Sequence, residues 1–112
     1  MLSTEDKSRI LASIQADGGF MQEFIDDFLN DIPQDIAALD QAISDRDAQS
    51  TERAAHGLKS VIGLFQAMTA YEIARDIESL GKQGDLTAAR IKFDELVPAI
   101  EDLKFLLAAS NE

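Results

Sequence analysis

Residues 47–82 read DAQSTERAAHGLKSVIGLFQAMTAYEIARDIESLGK, and the spacing of the apolar residues in this stretch decides the fold class. Leu58, Val61, Ile62 and Phe65 share one face of a 3.6-residue period and show no alternation by two. Asp47 reads as the cap of this helix, which extends to about Gln66. Thr69 followed three places later by Glu72 reads as a capping box, so the chain turns at about 66–68 and starts a second helix that ends at Gly81. Two helices joined by so short a turn form an antiparallel hairpin.

Working outward toward the C-terminus, Asp85 opens a last helix. There Leu86, Ala89, Phe93, Leu96, Ile100, Leu103 and Leu107 alternate at steps of three and four, the seam of a bundle helix. Pro98 lies off that seam and either kinks the helix or splits it near Val97. Toward the N-terminus, Ile36, Leu39 and Ile43 stripe a helix that Asp31-Ile32-Pro33 opens, with proline near its first turn. The helix before it carries Phe20, Phe24, Phe28 and Leu29. A first short helix over 4–16, capped by Ser3 or Thr4, buries Ile10, Leu11 and Ile14 and stops at Asp17-Gly18-Gly19. Only two prolines and six glycines interrupt these patterns. The reading is all-α, one domain over 1–112, with no linker, repeat or low-complexity tract.

A chain of 112 residues with 46% apolar content builds one hydrophobic core and leaves no room for a second domain. The absence of cysteine removes disulfide scaffolds, zinc knuckles and thiol catalysis. Ten basic against 21 acidic residues give a formal charge of -11, which repels phosphate backbones and anionic lipids, so neither nucleic acid nor a membrane surface is an expected partner. No apolar run approaches the roughly 18 residues of a membrane span, and no leader pattern precedes the first helix. The expected location is cytoplasmic. The charge is unevenly spread: residues 46–82 hold five basic and five acidic side chains, so the remaining residues carry the whole -11.

His56, the one histidine, lies in that neutral window. At about 100° per residue, Ala54, Leu58, Val61, Ile62 and Phe65 point within about 60° of one direction. His56 points almost opposite, beside Gln49, Glu52, Ser60 and Gly63, with Lys59 and Arg53 flanking it. Helix-interior glycine costs about 0.8–1 kcal/mol relative to alanine, so Gly57 and Gly63 need a reason in packing or access. With the hairpin turning near Ala67, His56 and Glu78 each lie eleven residues from the turn and stand at one level. Tyr71, Arg75, Glu78 and Lys82 form a stripe able to face the imidazole.

Two readings of these residues stand side by side. In one, His56 and Lys59 are solvated surface residues, Glu78 pairs with Lys82 one turn on, and the chain is an acidic adaptor bundle that binds a partner helix. In the other, His56 is a nucleophile: Glu78 accepts from Nδ1–H and leaves Nε2 outward, while Lys59 offsets the charge of an arriving phosphoryl group. Arg75 and Lys82 then steer phosphate, or are simply part of a mixed-charge face. A di-metal bundle needs Glu-x-x-His pairs projecting inward, and neither His56 nor Glu52 fits that pattern.

His56-Gly57-Leu58-Lys59 with Ser60 and Gly63, the turn at Ala67, and Ile77-Glu78-Ser79-Leu80-Gly81-Lys82 resemble the histidine-containing phosphotransfer (HPt) domains of two-component phosphorelays. The likeness covers about residues 18–108. The family pattern is His-x-Leu-Lys-Gly followed by small residues and a later Gly-Ala pair. Here Ser60 and Gln66 replace the two glycines, and Ala67 matches.

The resemblance implies an up-down antiparallel four-helix bundle with an additional short N-terminal helix. It also implies a monomer that carries phosphate on His56, with Lys59 stabilising the phosphoryl group and Glu78 facing the ring. The implied partners are receiver domains of a hybrid histidine kinase and of a response regulator, docking on Gln49, Glu52, Arg53, Lys59, Ser60, Gly63, Leu64 and Lys82 together with part of the first bundle helix. No cofactor is implied on this chain; Mg²⁺ belongs to the receiver. No Gly-rich phosphate loop is present, so the chain is not read as an ATP-dependent kinase.

Overall fold

The Ser3 hydroxyl accepts from the Asp6 N–H at 3.0 Å and starts α1 (Thr4–Ala16). The computed structural model describes residues 2–16 and 19–110. The expected stop at Asp17 and Gly18 lies outside the described residues. Gly19 takes φ 99°, a left-handed conformation that suits glycine. Ile10 is buried in α1, and Leu11 and Ile14 are half-buried.

The next helix corrects the break expected at Asp31-Ile32-Pro33: α2 (Gln22–Ser44) runs through Pro33 without interruption. Interior proline costs about 3 kcal/mol through the lost hydrogen bond and the ring clash. The apolar stripe keeps its phase across the proline, with Ile25, Phe28 and Ile32 on one side and Leu39 and Ile43 on the other, all buried. At about 1.5–3 kcal/mol for each large side chain, burial outweighs the proline, whose ring faces solvent. Contrary to expectation, Phe20 lies in the turn before α2, and Phe24 falls off this stripe; they stay 84% and 50% exposed.

Asp47 caps α3 (Ala48–Leu64) as expected, its carboxylate accepting from the Ser50 N–H at 3.0 Å. The following turn corrects one expectation. Thr69 is not the cap of α4 (Met68–Gln83); Ala67 holds that position and offers no side-chain bond. The free N–H and hydroxyl of Thr69 instead donate to Asp6 of α1, the backbone bond at 3.2 Å. The cap is therefore supplied across the tertiary structure, and a carboxylate at a helix N-terminus also suits the helix dipole. Burial pushes the Asp6 carboxyl up, but the Thr69 hydroxyl, the Thr69 N–H and the Arg9 guanidinium together hold it below its ordinary value.

α4 also does not end at Gly81. It runs on to Gln83 and is capped by Gly84, which takes φ 76°, while Gly81 sits buried against α3. A Cβ on Gly81 would lie 2.9 Å from the Glu52 backbone nitrogen and 3.2 Å from the Ala48 carbonyl oxygen. Gly81 is thus the closest-packed glycine of the hairpin, not its stop.

α5 (Leu86–Ser110) is unbroken, with Pro98 exposed inside it. Asp85 accepts from the Ala88 N–H at 3.1 Å, and all seven seam residues from Leu86 to Leu107 are buried. The described residues form five α-helices and no strand. Each of α2 to α5 packs on its neighbour in the chain, and α2 closes the ring against α5. The result is an up-down four-helix bundle with the short α1 added at one end. The Leu2 N–H donates to Asp102 at 3.0 Å, and Gln66 reaches Ser13 at 3.3 Å, so α1 is tied to α5 and to the α3–α4 turn.

Candidate functional site

α3 and α4 place the site. Ala55, Leu58 and Ile62 drive one face of α3 into the core, so the opposite face must carry His56 into solvent. Its side chain is 62% exposed. On α4 the buried residues Ala70, Ala74 and Ile77 leave Glu78 on the edge that meets α3. Glu78 is 7% exposed, well inside a range where ionised side chains need partners.

Those partners come from α3. Glu78 Oε2 lies 2.5 Å from His56 Nδ1, and Oε1 accepts from Lys59 Nζ at 2.8 Å. The lysine hydrogen bond, with smaller help from His56, outweighs burial and holds the Glu78 carboxyl below its ordinary value. The same bond to Glu78 raises the Lys59 ammonium against the opposing effect of burial. Near neutral pH the pair is therefore a carboxylate and an ammonium. A carboxylate only accepts hydrogen bonds, so the short contact places a proton on Nδ1. In the neutral ring Nε2 then keeps its lone pair and has no hydrogen-bond partner among the described residues.

Around the imidazole lies an open depression of about 500 Å³ lined by Glu52, Arg53, His56, Lys59, Glu78 and Lys82. Its three basic side chains exceed its two carboxylates by one positive charge, on a chain whose formal charge is -11. This local reversal of sign suits an anion that the rest of the surface repels.

The surface pair of Glu78 with Lys82 considered from the sequence is not formed among the described residues; Glu78 turns to α3 instead. Gln49, Ser60, Gly63 and Leu64 lie on α3 outside the depression, Leu64 at 52% exposure. Ser60 folds its hydroxyl onto the His56 carbonyl at 3.0 Å, so the serine in place of glycine adds little height beside the ring. A Cβ on Gly63 would meet the Tyr71 ring at 3.4 Å, an ordinary contact, so packing against α4 does not by itself require glycine there. Arg75 is exposed and lines no part of the depression.

Asp35 and Ala38 of α2 were not named from the sequence. They line a smaller hollow of about 330 Å³ with Arg53, Ala54, Gly57, Leu58 and Val61, on the far side of α3 from Glu78. Their signal was available, since both lie off the Ile32–Leu39 stripe toward one flank, but which helix faces that flank is a tertiary fact.

Among the described residues no cluster of three or more His, Asp or Glu side chains is placed to hold a metal ion. None of their helices is long and apolar enough to cross a membrane. Neither the curated proteins nor the solved structures compared with the chain match it. The model of the family described as the Hpt domain matches residues 23–105, from the start of α2 to near the end of α5, and the chain belongs to that family of histidine phosphotransfer domains in phosphorelays.

Proposed function

We propose that this chain carries a phosphoryl group on His56 between receiver domains of a hybrid histidine kinase and of a response regulator. The observation that supports the reading best is the pairing of His56 Nδ1 with the Glu78 carboxylate at 2.5 Å, which leaves Nε2 exposed as the nucleophile.

In the forward step the Nε2 lone pair attacks the phosphorus of a receiver's aspartyl phosphate. A P–N bond forms, the P–O bond to the aspartate breaks, and its electron pair leaves with the aspartate carboxylate. The proton on Nδ1 stays in place, so the phosphorylated ring carries a positive charge that the Glu78 carboxylate faces. The reverse sequence returns phosphate to a second receiver. Lys59 has three N–H donors and uses one on Glu78, which leaves two for phosphoryl oxygens. Arg53 and Lys82 add positive charge at the rim and attract a group bearing about −1.5 to −2. Carboxylates and Mg²⁺ come from the receiver, and a cytoplasmic location accompanies such partners.

Incubation with a phosphorylated receiver domain tests the proposal. The expected product is an acid-labile, alkali-stable label on the chain that His56→Gln abolishes with helicity unchanged. Label retained by the glutamine variant, or none on the wild type across a panel of receivers, refutes it; the second outcome returns the chain to the adaptor reading.

A further inference from the structure

The α3 and α4 backbones come close at Gly81, one helical turn from the paired side chains. Along α3, Glu52 precedes His56 by four residues; along α4, Gly81 follows Glu78 by three. The helices are antiparallel, so the Glu52–Gly81 level lies directly beneath the His56–Glu78 level. At that level a Cβ on residue 81 would meet the Glu52 nitrogen at 2.9 Å, the Glu52 Cα at 3.1 Å and the Ala48 oxygen at 3.2 Å. All three are backbone atoms of α3. A crowded side chain can rotate away, but a crowded helix backbone can only shift as a body.

We infer that Gly81 is a positioning residue: by letting α4 lie directly on the α3 backbone, it sets the helix separation at which the Glu78 carboxylate reaches both His56 Nδ1 and Lys59 Nζ. The inference rests on the proposed role of His56 and deepens it, because the state of the imidazole is then set by a residue that touches neither ring nor phosphate. A β-carbon at this position requires α4 to retreat by about 0.5 Å or more, the shortfall from an ordinary contact of about 3.5 Å. The two bonds to Glu78 start at 2.5 and 2.8 Å, so a retreat of that size carries them to about 3.0 and 3.3 Å: the imidazole contact loses its short, charge-assisted character and the lysine bond passes the ordinary range. Other glycines nearby have different surroundings. Nothing lies within 4 Å of a Cβ built on Gly57, although it is adjacent to His56.

The test is the tautomer of the neutral imidazole, read from long-range ¹H–¹⁵N correlations of the histidine ring in the intact chain. The wild type is expected to hold the Nδ1–H tautomer. Gly81→Ala is expected to shift the ring to a mixture enriched in Nε2–H, while Gly57→Ala keeps the wild-type ratio. A folded Gly81→Ala variant with the wild-type ratio overturns the inference. So does an equal shift in Gly57→Ala, which would mark a general response to helix substitution. Glu78→Asp provides a second route that leaves the Gly81 contact untouched: it withdraws the carboxylate by one methylene and is expected to redistribute the tautomers similarly. If Gly81→Ala does not fold, an unchanged ratio in Glu78→Asp overturns the inference by itself. Phosphoryl labelling of the wild type is a separate measurement. A chain that takes no phosphate but shows the Gly81→Ala tautomer shift refutes the carrier role and leaves the positioning role standing.

Discussion

Replacing Glu78 separates two contributions that its carboxylate makes together. Oε2 orients the imidazole through Nδ1 at 2.5 Å, and in the proposed transfer the negative charge faces a ring that becomes cationic. Glutamine keeps an acceptor on a stem of equal length and removes the charge; alanine removes both. A unit charge pair about 4 Å apart is worth about 4 kcal/mol at an effective dielectric of 20 and about 1 kcal/mol in water. The Glu78 side chain is 10% exposed but that of His56 is 62%, and the transition state bears only part of the final charge. The expected share is therefore about 1–2 kcal/mol, which slows transfer about 5- to 30-fold in Glu78→Gln. Alanine also forfeits a neutral hydrogen bond of about 0.5–1.5 kcal/mol, for a total loss of about 10- to 400-fold. Single-turnover transfer from a phosphorylated receiver domain, followed by rapid quench, measures both. An alanine variant within twofold of wild type refutes the role of Glu78, and equal rates for the two variants refute the orienting half of it.

Lys59→Ala is expected to slow the same single-turnover step on the order of 10- to 100-fold while receiver affinity changes little, because in the proposed mechanism its ammonium acts on the phosphoryl oxygens; equal rates with and without it remove that role. Gln66 occupies a left-handed turn at φ 58°, and among the described residues its side chain makes one long hydrogen bond, 3.3 Å to Ser13. Gln66→Gly should therefore raise stability by about 1 kcal/mol in urea titration, and a loss would show that the Ser13 contact matters more than the backbone strain. Asp6→Ala strands the Thr69 N–H and hydroxyl at the start of α4 and should cost about 1–3 kcal/mol near neutral pH. The carboxyl lies below its ordinary value of 3.8 in the fold, so its stabilisation is complete above that value and disappears as pH falls through the depressed one. Glu78 behaves likewise from its ordinary 4.5. Denaturation followed from pH 7 to pH 2 should thus show a shallower acid limb in Asp6→Ala than in wild type, and parallel limbs contradict the assignment.

The candidate site was more legible than the turns around it. His56 declares itself because a polar residue opposite Leu58 and Ile62 has nowhere to go but solvent. Glu78 could be placed level with it by counting from the turn, since helix rise is uniform. That Glu78 is buried and bridges His56 and Lys59, and does not pair with Lys82 along its own helix, depends on how closely α3 and α4 approach. Local rules misjudged the places where distant parts of the chain intervene. Pro33 reads as a helix start until the burial of Ile25, Phe28, Leu39 and Ile43 in one stripe carries α2 through it. Thr69 and Glu72 read as a capping box until Asp6, 63 residues away, takes the cap. Gly81 reads as a stop, although its missing side chain serves the contact with α3.

From sequence alone came the all-helical class, the buried seam of α5, the Asp47 and Asp85 caps, and the outward face of α3. Each follows from residues within a turn or two of one another, where period and side-chain chemistry suffice. The tertiary structure alone decided which helix ends persist, what fills the Thr69 cap, which acceptor the histidine ring finds, and how near two backbones come. These depend on helix separation, set by the volume of side chains at each crossing, and a change of half an ångström at Gly81 is invisible to any periodicity.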